Sequence, residues 1–313
     1  MSKLVLGTRG SALALWQARH IAARLREAHA GLEIEERIIT TEGDVQQHAP
    51  LGPQDRGVFV RRIEQYLIGG QIDFAVHSLK DLPTSQPDGL AITAVPRRHD
   101  PRDVLISPAG WSFEEMPAGT VIGTGSFRRR TQMLHVRPEL STVPVRGNVD
   151  TRIRKLEEGQ FGAIVLALAG LERLNIDRVP YRPIEVATCL PAVGQGALAI
   201  EARTDDQRTR DLLTVLDHPE SHRAVIAERA FLKRLGGGCL APATGFAEID
   251  QGTMRIRAVV GDADGVRLLV DEESGPESEA AELGHSLAER MVAAGAGELL
   301  EQARQAAEAD GAV

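Results

Sequence analysis

Leu190-Pro191-Ala192-Val193-Gly194-Gln195-Gly196, followed by Ala197-Leu198-Ala199-Ile200-Glu201, is the stretch on which the architecture turns. The first seven residues interrupt regular structure with a proline and two glycines, and the next five read as an apolar strand. Upstream, the segment from Arg97 to Arg102 breaks the pattern once before, because the residue preceding Pro101 is pushed out of the helical region. A strand at 197–201 that returns to the first sheet makes two crossings between two lobes, which is the arrangement of a hinge.

Working outward, the chain before the first break alternates apolar runs with helix-period stretches. Leu4 to Leu6 and Phe74 to Val76 read as strands; Ala14, Ala18, Ile21 and Leu25, then Phe59, Ile63 and Leu67, read as helices. These are βαβ units on a mostly parallel sheet. A second alternation follows, with strands near 120–122, 142–145 and 163–167 and helices after Ser126, Asn148 and Ala169. After Asp217-His218-Pro219 come a helix through Arg229, a glycine-rich turn, strands around 254–260 and 266–270, and a final helix from Ala280. The expected fold class is α/β: two lobes of mixed sheet with a double crossing, plus a C-terminal α+β domain. The expected boundaries are 1–96 with 197–214 for the first lobe, 102–190 for the second and 219–313 for the third.

A chain of 313 residues is long enough for several cores. Hydrophobic residues at 42% and charged residues at 26% are globular values, which sets disorder aside. A net charge of -8 argues against bulk attraction to nucleic acid or to an anionic membrane. No apolar run is long enough for a signal peptide or for the roughly 20 residues of a membrane span. A cytoplasmic protein without nucleic-acid or membrane partners is expected. The two cysteines, Cys189 and Cys239, have no Cys-x-x-Cys spacing, and the histidines show no metal-ligand spacing, so no metal is expected.

Against that acidic total, the stretch from Ser126 to Lys155 holds eight cations and only Glu139 and Asp150 as anions. A solvated helix face explains any one of these arginines as well as a site does. Position favours a site for several. Arg128 and Arg129 follow Gly123-Thr124-Gly125-Ser126 at a strand-to-helix junction, and Arg146-Gly147-Asn148 sits at another. Such ends present free amide N–H groups and the positive end of a helix dipole, and arginine adds a bidentate fork for carboxylate or phosphate. Thr8-Arg9-Gly10-Ser11 repeats the device in the first lobe, with Ser11 as a candidate cap.

His77-Ser78-Leu79-Lys80-Asp81-Leu82-Pro83 closes another strand. Lys80 and Asp81 are either an exposed pair of little energetic weight or, in a cleft full of cations, a lone carboxylate that steadies developing positive charge. Gly236-Gly237-Gly238-Cys239 is either a flexible turn or a place where a bulky adduct approaches backbone that has no Cβ. A thiolate there is positioned to carry something covalently. Cys189, before Leu190-Pro191, has no such setting and reads as structural. Gly194-Gln195-Gly196-Ala197-Leu198-Ala199 fits a dinucleotide fingerprint in letters only, since a strand follows it where a helix is needed.

In order along the chain, Thr8 to Gln17 (TRGSALALWQ), Val76 to Asp81 (VHSLKD), Gly123 to Arg129 (GTGSFRR), Arg146 to Arg152 (RGNVDTR), Leu190 to Gly196 (LPAVGQG) and Gly237-Gly238-Cys239 resemble the porphobilinogen deaminase family. The resemblance implies two lobes like those of type II periplasmic binding proteins and a third domain carrying a cofactor cysteine. It implies a dipyrromethane attached through Cys239, on which four porphobilinogen molecules are joined, with loss of ammonia, into the linear tetrapyrrole hydroxymethylbilane. By resemblance Asp81 is the catalytic carboxylate. Arg9, Ser11, Arg146, Arg152 and Arg173 hold incoming substrate, and Lys80, Asp81, Ser126, Arg128 and Arg129 hold the cofactor. Such enzymes are transferases, and a monomer is expected. Each pyrrole carries an acetate and a propionate, so the growing chain is a polyanion, which gives the arginines a physical purpose. One stretch departs from the family pattern. Where a Gly- and Lys-rich mobile loop is common, this chain has Gly52-Pro53-Gln54-Asp55-Arg56-Gly57, with Arg56 its only cation and Pro53 restricting the backbone.

Two other classes share part of this pattern. A two-lobed, non-enzymatic carboxylate-binding protein has the hinge and the arginines but needs no tethered thiol. A cysteine-nucleophile transferase or hydrolase acting on another substrate wants a histidine base beside Cys239.

Overall fold

The return strand predicted at 197–201 is there. In the computed structural model, which describes residues 3–40, 58–236 and 241–309, Leu198–Arg203 lies in the first sheet, antiparallel to Phe74–Ser78 on one side and Leu90–Ala94 on the other. The chain divides into two compact units, residues 1–99 with 197–222 and residues 100–196 with 223–313.

The elements of the first unit are β1 (Lys3–Thr8), α1 (Ala12–Ala28), β2 (Glu33–Ile38), α2 (Val58–Ile68), β3 (Phe74–Ser78) and β4 (Leu90–Ala94). A single 3₁₀ turn, Leu79–Asp81, follows β3. In the second unit come β5 (Asp103–Ile106), β6 (Val121–Gly123), α3 (Phe127–Val136), β7 (Ser141–Val143), α4 (Val149–Glu157), β8 (Ala163–Ala167), α5 (Leu168–Arg173) and β9 (Tyr181–Ile184). The chain then returns to the first unit for β10 (Leu198–Arg203) and α6 (Gln207–Thr214). Helix α7 (Pro219–Arg234) leads into β11 (Ala243–Asp250), β12 (Thr253–Gly261), β13 (Leu268–Pro276), α8 (Ala280–Ala293) and α9 (Ala296–Ala309).

The two five-stranded sheets share one topology. Their orders are β2-β1-β3-β10-β4 and β7-β6-β8-β5-β9. In each, the fourth strand in the order comes from the far side of a crossing and runs antiparallel to both neighbours. The sheets are therefore mixed rather than mostly parallel. Period-2 alternation sorts the first sheet: Leu4, Leu6, Phe74, Val76, Ile200 and Ala202 pack with α1, while Ala75 packs with Ile63 and Leu67 of α2. In the second sheet Val104, Ile106 and Ile164 meet Ile153 and Leu156 of α4, while Leu105, Ile122 and Val165 meet Met133 of α3. Each fully buried Leu, Ile or Phe contributes on the order of 1.5–3 kcal/mol.

The C-terminal part is a three-stranded antiparallel sheet, β11-β12-β13. Met254, Ile256, Ala258 and Val260 pack under Phe231, Leu287 and Leu299. On the other face Phe246 and Val259 pack with Leu190. The expected α+β character holds, with differences of detail. β11 and α9 were not read from the sequence, and β13 begins at Leu268 and runs on to Pro276. The final helix is two helices, α8 and α9, broken at Gly295, whose φ of 100° lies where glycine is favoured. Among the described residues no helix is long and apolar enough to cross a membrane.

Candidate active site

In the first unit, the C-terminal ends of β1 and β3 lie side by side and each delivers polar side chains. Ser11 caps α1, its Oγ accepting from the Ala14 amide at 3.3 Å. That cap fixes the turn which carries Arg9. Gln17 on α1 donates to Ser78 Oγ at 2.8 Å, tying the helix to the end of β3. The 3₁₀ turn after β3 then presents Asp81. Arg9, Ser11, Gln17, His77, Ser78 and Asp81 all line one open recess of about 80 Å³, room for several waters. So three residues singled out from sequence, Arg9, Ser11 and Asp81, come together; Lys80 sits half-buried in the same turn. A cation, a hydroxyl and a carboxylate around one recess can bind an acidic pyrrole and counter positive charge as it develops.

In the second unit the predicted helix N-termini are present. Ser126 caps α3 by accepting from the Arg129 amide, and Asn148 caps α4 by accepting from the Thr151 amide at 2.9 Å. Gly147 precedes that cap with φ 115°, and a Cβ there would sit 2.6 Å from the Thr151 side chain, so only glycine fits. Arg146 is exposed. Arg152 turns back to donate from Nε to Gly147 O at 2.8 Å.

Arg128 and Arg129 are buried and share one carboxylate. Arg128 Nη1 donates to Asp103 Oδ2 at 2.8 Å and to Leu190 O at 2.6 Å. Arg129 donates from Nη2 to Asp103 Oδ1 at 2.7 Å and from Nη1 to Val165 O at 2.9 Å. Gln195 Nε2 joins them, bonding Asp103 Oδ1 at 2.8 Å and Pro101 O at 2.7 Å. Burial pushes the Asp103 carboxyl up, but the two guanidiniums outweigh it and hold the group well below the usual carboxylate range. Arg128 Nε and Arg129 Nε have no hydrogen-bond partner among the described residues. Two buried cations with spare donors fit a carboxylate-bearing group such as dipyrromethane. Arg173 is buried too; its Nη2 donates to Gly196 O at 2.7 Å, and burial lowers its pKa to about 10, with the Glu172 charge working the other way.

Cys189 sits inside the Asp103 cluster, its thiol pushed up to about 12 by burial, with the Arg128 and Arg129 charges working against that and the Asp103 charge adding to it. Such a thiol is inert as a nucleophile. Cys239, its two preceding glycines and the 52–57 loop lie outside the described residues.

Sequence reasoning missed Asp103, Gln195 and Glu228, whose carboxylate accepts from the Gly194 amide at 2.7 Å and the Ala247 amide at 3.0 Å. It also missed Glu201, although a glutamate inside the apolar run 197–202 was a readable signal.

A family model described as "Porphobilinogen deaminase, dipyromethane cofactor binding domain" matches residues 4–211, and one described as "Porphobilinogen deaminase, C-terminal domain" matches residues 222–293. The chain belongs to the porphobilinogen deaminase family. Curated relatives named porphobilinogen deaminase span nearly the whole of it. That of Desulforudis audaxviator is 48% identical over 97% of this chain and 99% of its own length, and that of Syntrophus aciditrophicus is 46% identical over 95% and 97%. Among solved structures, the BenM effector binding domain with benzoate covers 68% of this chain and 88% of its own at 15% identity and a TM-score of 0.42. An ancestral cationic amino acid solute binding protein covers 69% and 88% at 13% identity and a TM-score of 0.45. The model matches place Arg9, Asp81, Ser126, Arg128, Arg129, Arg146, Arg152 and Arg173 within the porphobilinogen deaminase cofactor-binding domain, and Cys239 within its C-terminal domain.

Proposed function

We propose that the chain is a cytoplasmic, monomeric transferase that joins four porphobilinogen molecules, with loss of ammonia, into hydroxymethylbilane. The observation that supports this most is the recess at the ends of β1 and β3, where Arg9, Ser11 and Asp81 converge inside a segment matched by the family model. Dipyrromethane, attached through Cys239, supplies the pyrrole end on which the chain is built. Ser126, Arg128, Arg129 and Lys80 hold its acetate and propionate groups by charge-assisted hydrogen bonds of about 1.5–3 kcal/mol each. Arg9, Ser11, Arg146, Arg152 and Arg173 hold the substrate's carboxylates. Asp81 faces the pyrrole N–H and steadies positive charge as ammonia leaves. The working division is three-part: 1–96 with 197–214, 102–190, and 219–313.

The test is to incubate the purified chain with porphobilinogen and follow ammonia and products. The proposed reaction releases one ammonia for each porphobilinogen consumed and yields one linear tetrapyrrole for every four. Tight binding of porphobilinogen without turnover is the result that favours a non-enzymatic carboxylate-binding protein instead.

A further inference from the structure

Beneath the recess lies a buried cluster that substrate binding does not explain. In the β3–β10 ladder Ala199 stands opposite His77 and Glu201 opposite Ala75, so His77 and Glu201 project from the α2 face of the sheet as diagonal neighbours. His77 Nε2 lies 3.1 Å from Glu201 Oε2, and both side chains are almost fully buried. Glu64 of α2, 6% exposed, packs over the same face. Glu64 Oε1 and Glu201 Oε1 are buried without a hydrogen-bond partner among the described residues. Two carboxyls and an imidazole are thus gathered on one buried face of the sheet. The Glu64 carboxyl is pushed up to about 7, first by burial and then by the Glu201 charge, with His77 and Arg61 pulling the other way. His77 is also part of the recess wall, alongside Asp81.

Joining one unit requires a base. The carbon–nitrogen bond of porphobilinogen breaks and its electron pair leaves on ammonia. The new carbon–carbon bond uses the pair of a pyrrole carbon–hydrogen bond, whose proton must be taken up. We propose that His77 accepts that proton from the recess, with Glu201 orienting the ring and Glu64 acting through it as a second proton-sharing carboxyl. The proton then passes from His77 through the open recess to water, where it meets the ammonia released when the carbon–nitrogen bond broke, so each addition yields one ammonium in all and the cluster is restored. This rests on the porphobilinogen deaminase reading. The other charged groups around it are Arg61 on α2, Arg9 after β1, Lys80 and Asp81 after β3, and Arg203 on β10, which bonds Leu67 O, Ile72 O, Asp206 and Asp73. β4 brings no charged side chain.

One readout needs no turnover. Infrared titration of the wild-type chain between about pH 5 and pH 9 is expected to show a protonated-carboxyl band lost with a midpoint at about 7 and missing from Glu64→Gln. Its absence from wild type, or its persistence in the variant, overturns the proposal. In turnover, Glu201→Gln is expected to lower kcat about 10²-fold, with KM and the mass of the loaded protein unchanged. Glu64→Gln is expected to move the acid limb of the kcat–pH profile to lower pH, because the carboxyl that holds a proton up to about 7 is gone. A uniform loss at every pH with the limb unmoved marks a purely structural role and overturns the inference, even if Glu201→Gln proves too unstable to assay. Failure of wild type to make tetrapyrrole would instead sink the function itself.

Discussion

Asp81 stands in the recess with Arg9 and Ser11 beside it, carried there by a one-turn 3₁₀ segment rather than by a long loop. Its side chain is exposed, so replacing it by asparagine removes a charge without leaving a hole. Asp81→Asn is therefore expected to keep the thermal midpoint and the covalent adduct while lowering kcat by about 10² or more, the usual cost of a lost electrostatic contact to a developing charge. A variant with near-normal kcat removes Asp81 from the mechanism. Residues of this kind were legible because their signal is local: Arg9, Ser11, Asp81 and Ser126 each follow a strand end within a few positions. His77, Glu64 and Glu201 were not legible as a set. His77 and Glu201 are 124 positions apart, and only the antiparallel ladder brings them together.

Among the elements, β5 and α3 are locked by Asp103, the first residue of β5, which receives both Arg128 and Arg129 from the first turn of α3. Gln195 extends the lock to both crossings, since it bonds Asp103 and Pro101 together. Removing one partner of such a buried pair strands the others, so Asp103→Asn is expected to cost about 3–5 kcal/mol in denaturant unfolding. Because the folded-state carboxyl is held low, its stabilisation is complete above the unfolded value of about 3.9 and is lost as pH falls towards the depressed folded value. The wild-type advantage over Asp103→Asn should accordingly shrink on acidification below about pH 4. A difference that stays constant across that window contradicts the ion-pair account. Strands with apolar runs and helices with Ser or Asn caps were readable in the sequence. β2, Glu-Ile-Glu-Glu-Arg-Ile, was not, because it is an edge strand with most of its side chains exposed and little apolar pattern to see. β9, Tyr-Arg-Pro-Ile, is likewise an edge strand, where a proline is tolerated.

Over the whole molecule, two sheets of one topology each accept an antiparallel strand from beyond a crossing, and the second crossing runs through 190–196, where Gly194 and Gly196 take φ of 70° and 84°. The same segment is held by Glu228 at Gly194, by Gln132 at Leu190, and by Thr244 at Pro191. The C-terminal part thus reaches the crossing through α7 and β11. What the architecture serves, on this account, is covalent: one thiol carries the growing chain and the other does not. Cys189 is buried beside Asp103 with its thiol pushed up to about 12. Cys239, in the stretch Gly236-Gly237-Gly238-Cys239, is the proposed attachment point. The most direct measurement is the intact mass of the purified chain, followed by peptide mapping. The prediction is a mass above that of the sequence, located on the peptide containing Cys239, absent from Cys239→Ser and retained in Cys189→Ala. An active wild-type chain with no added mass, or an adduct found on Cys189, would contradict it.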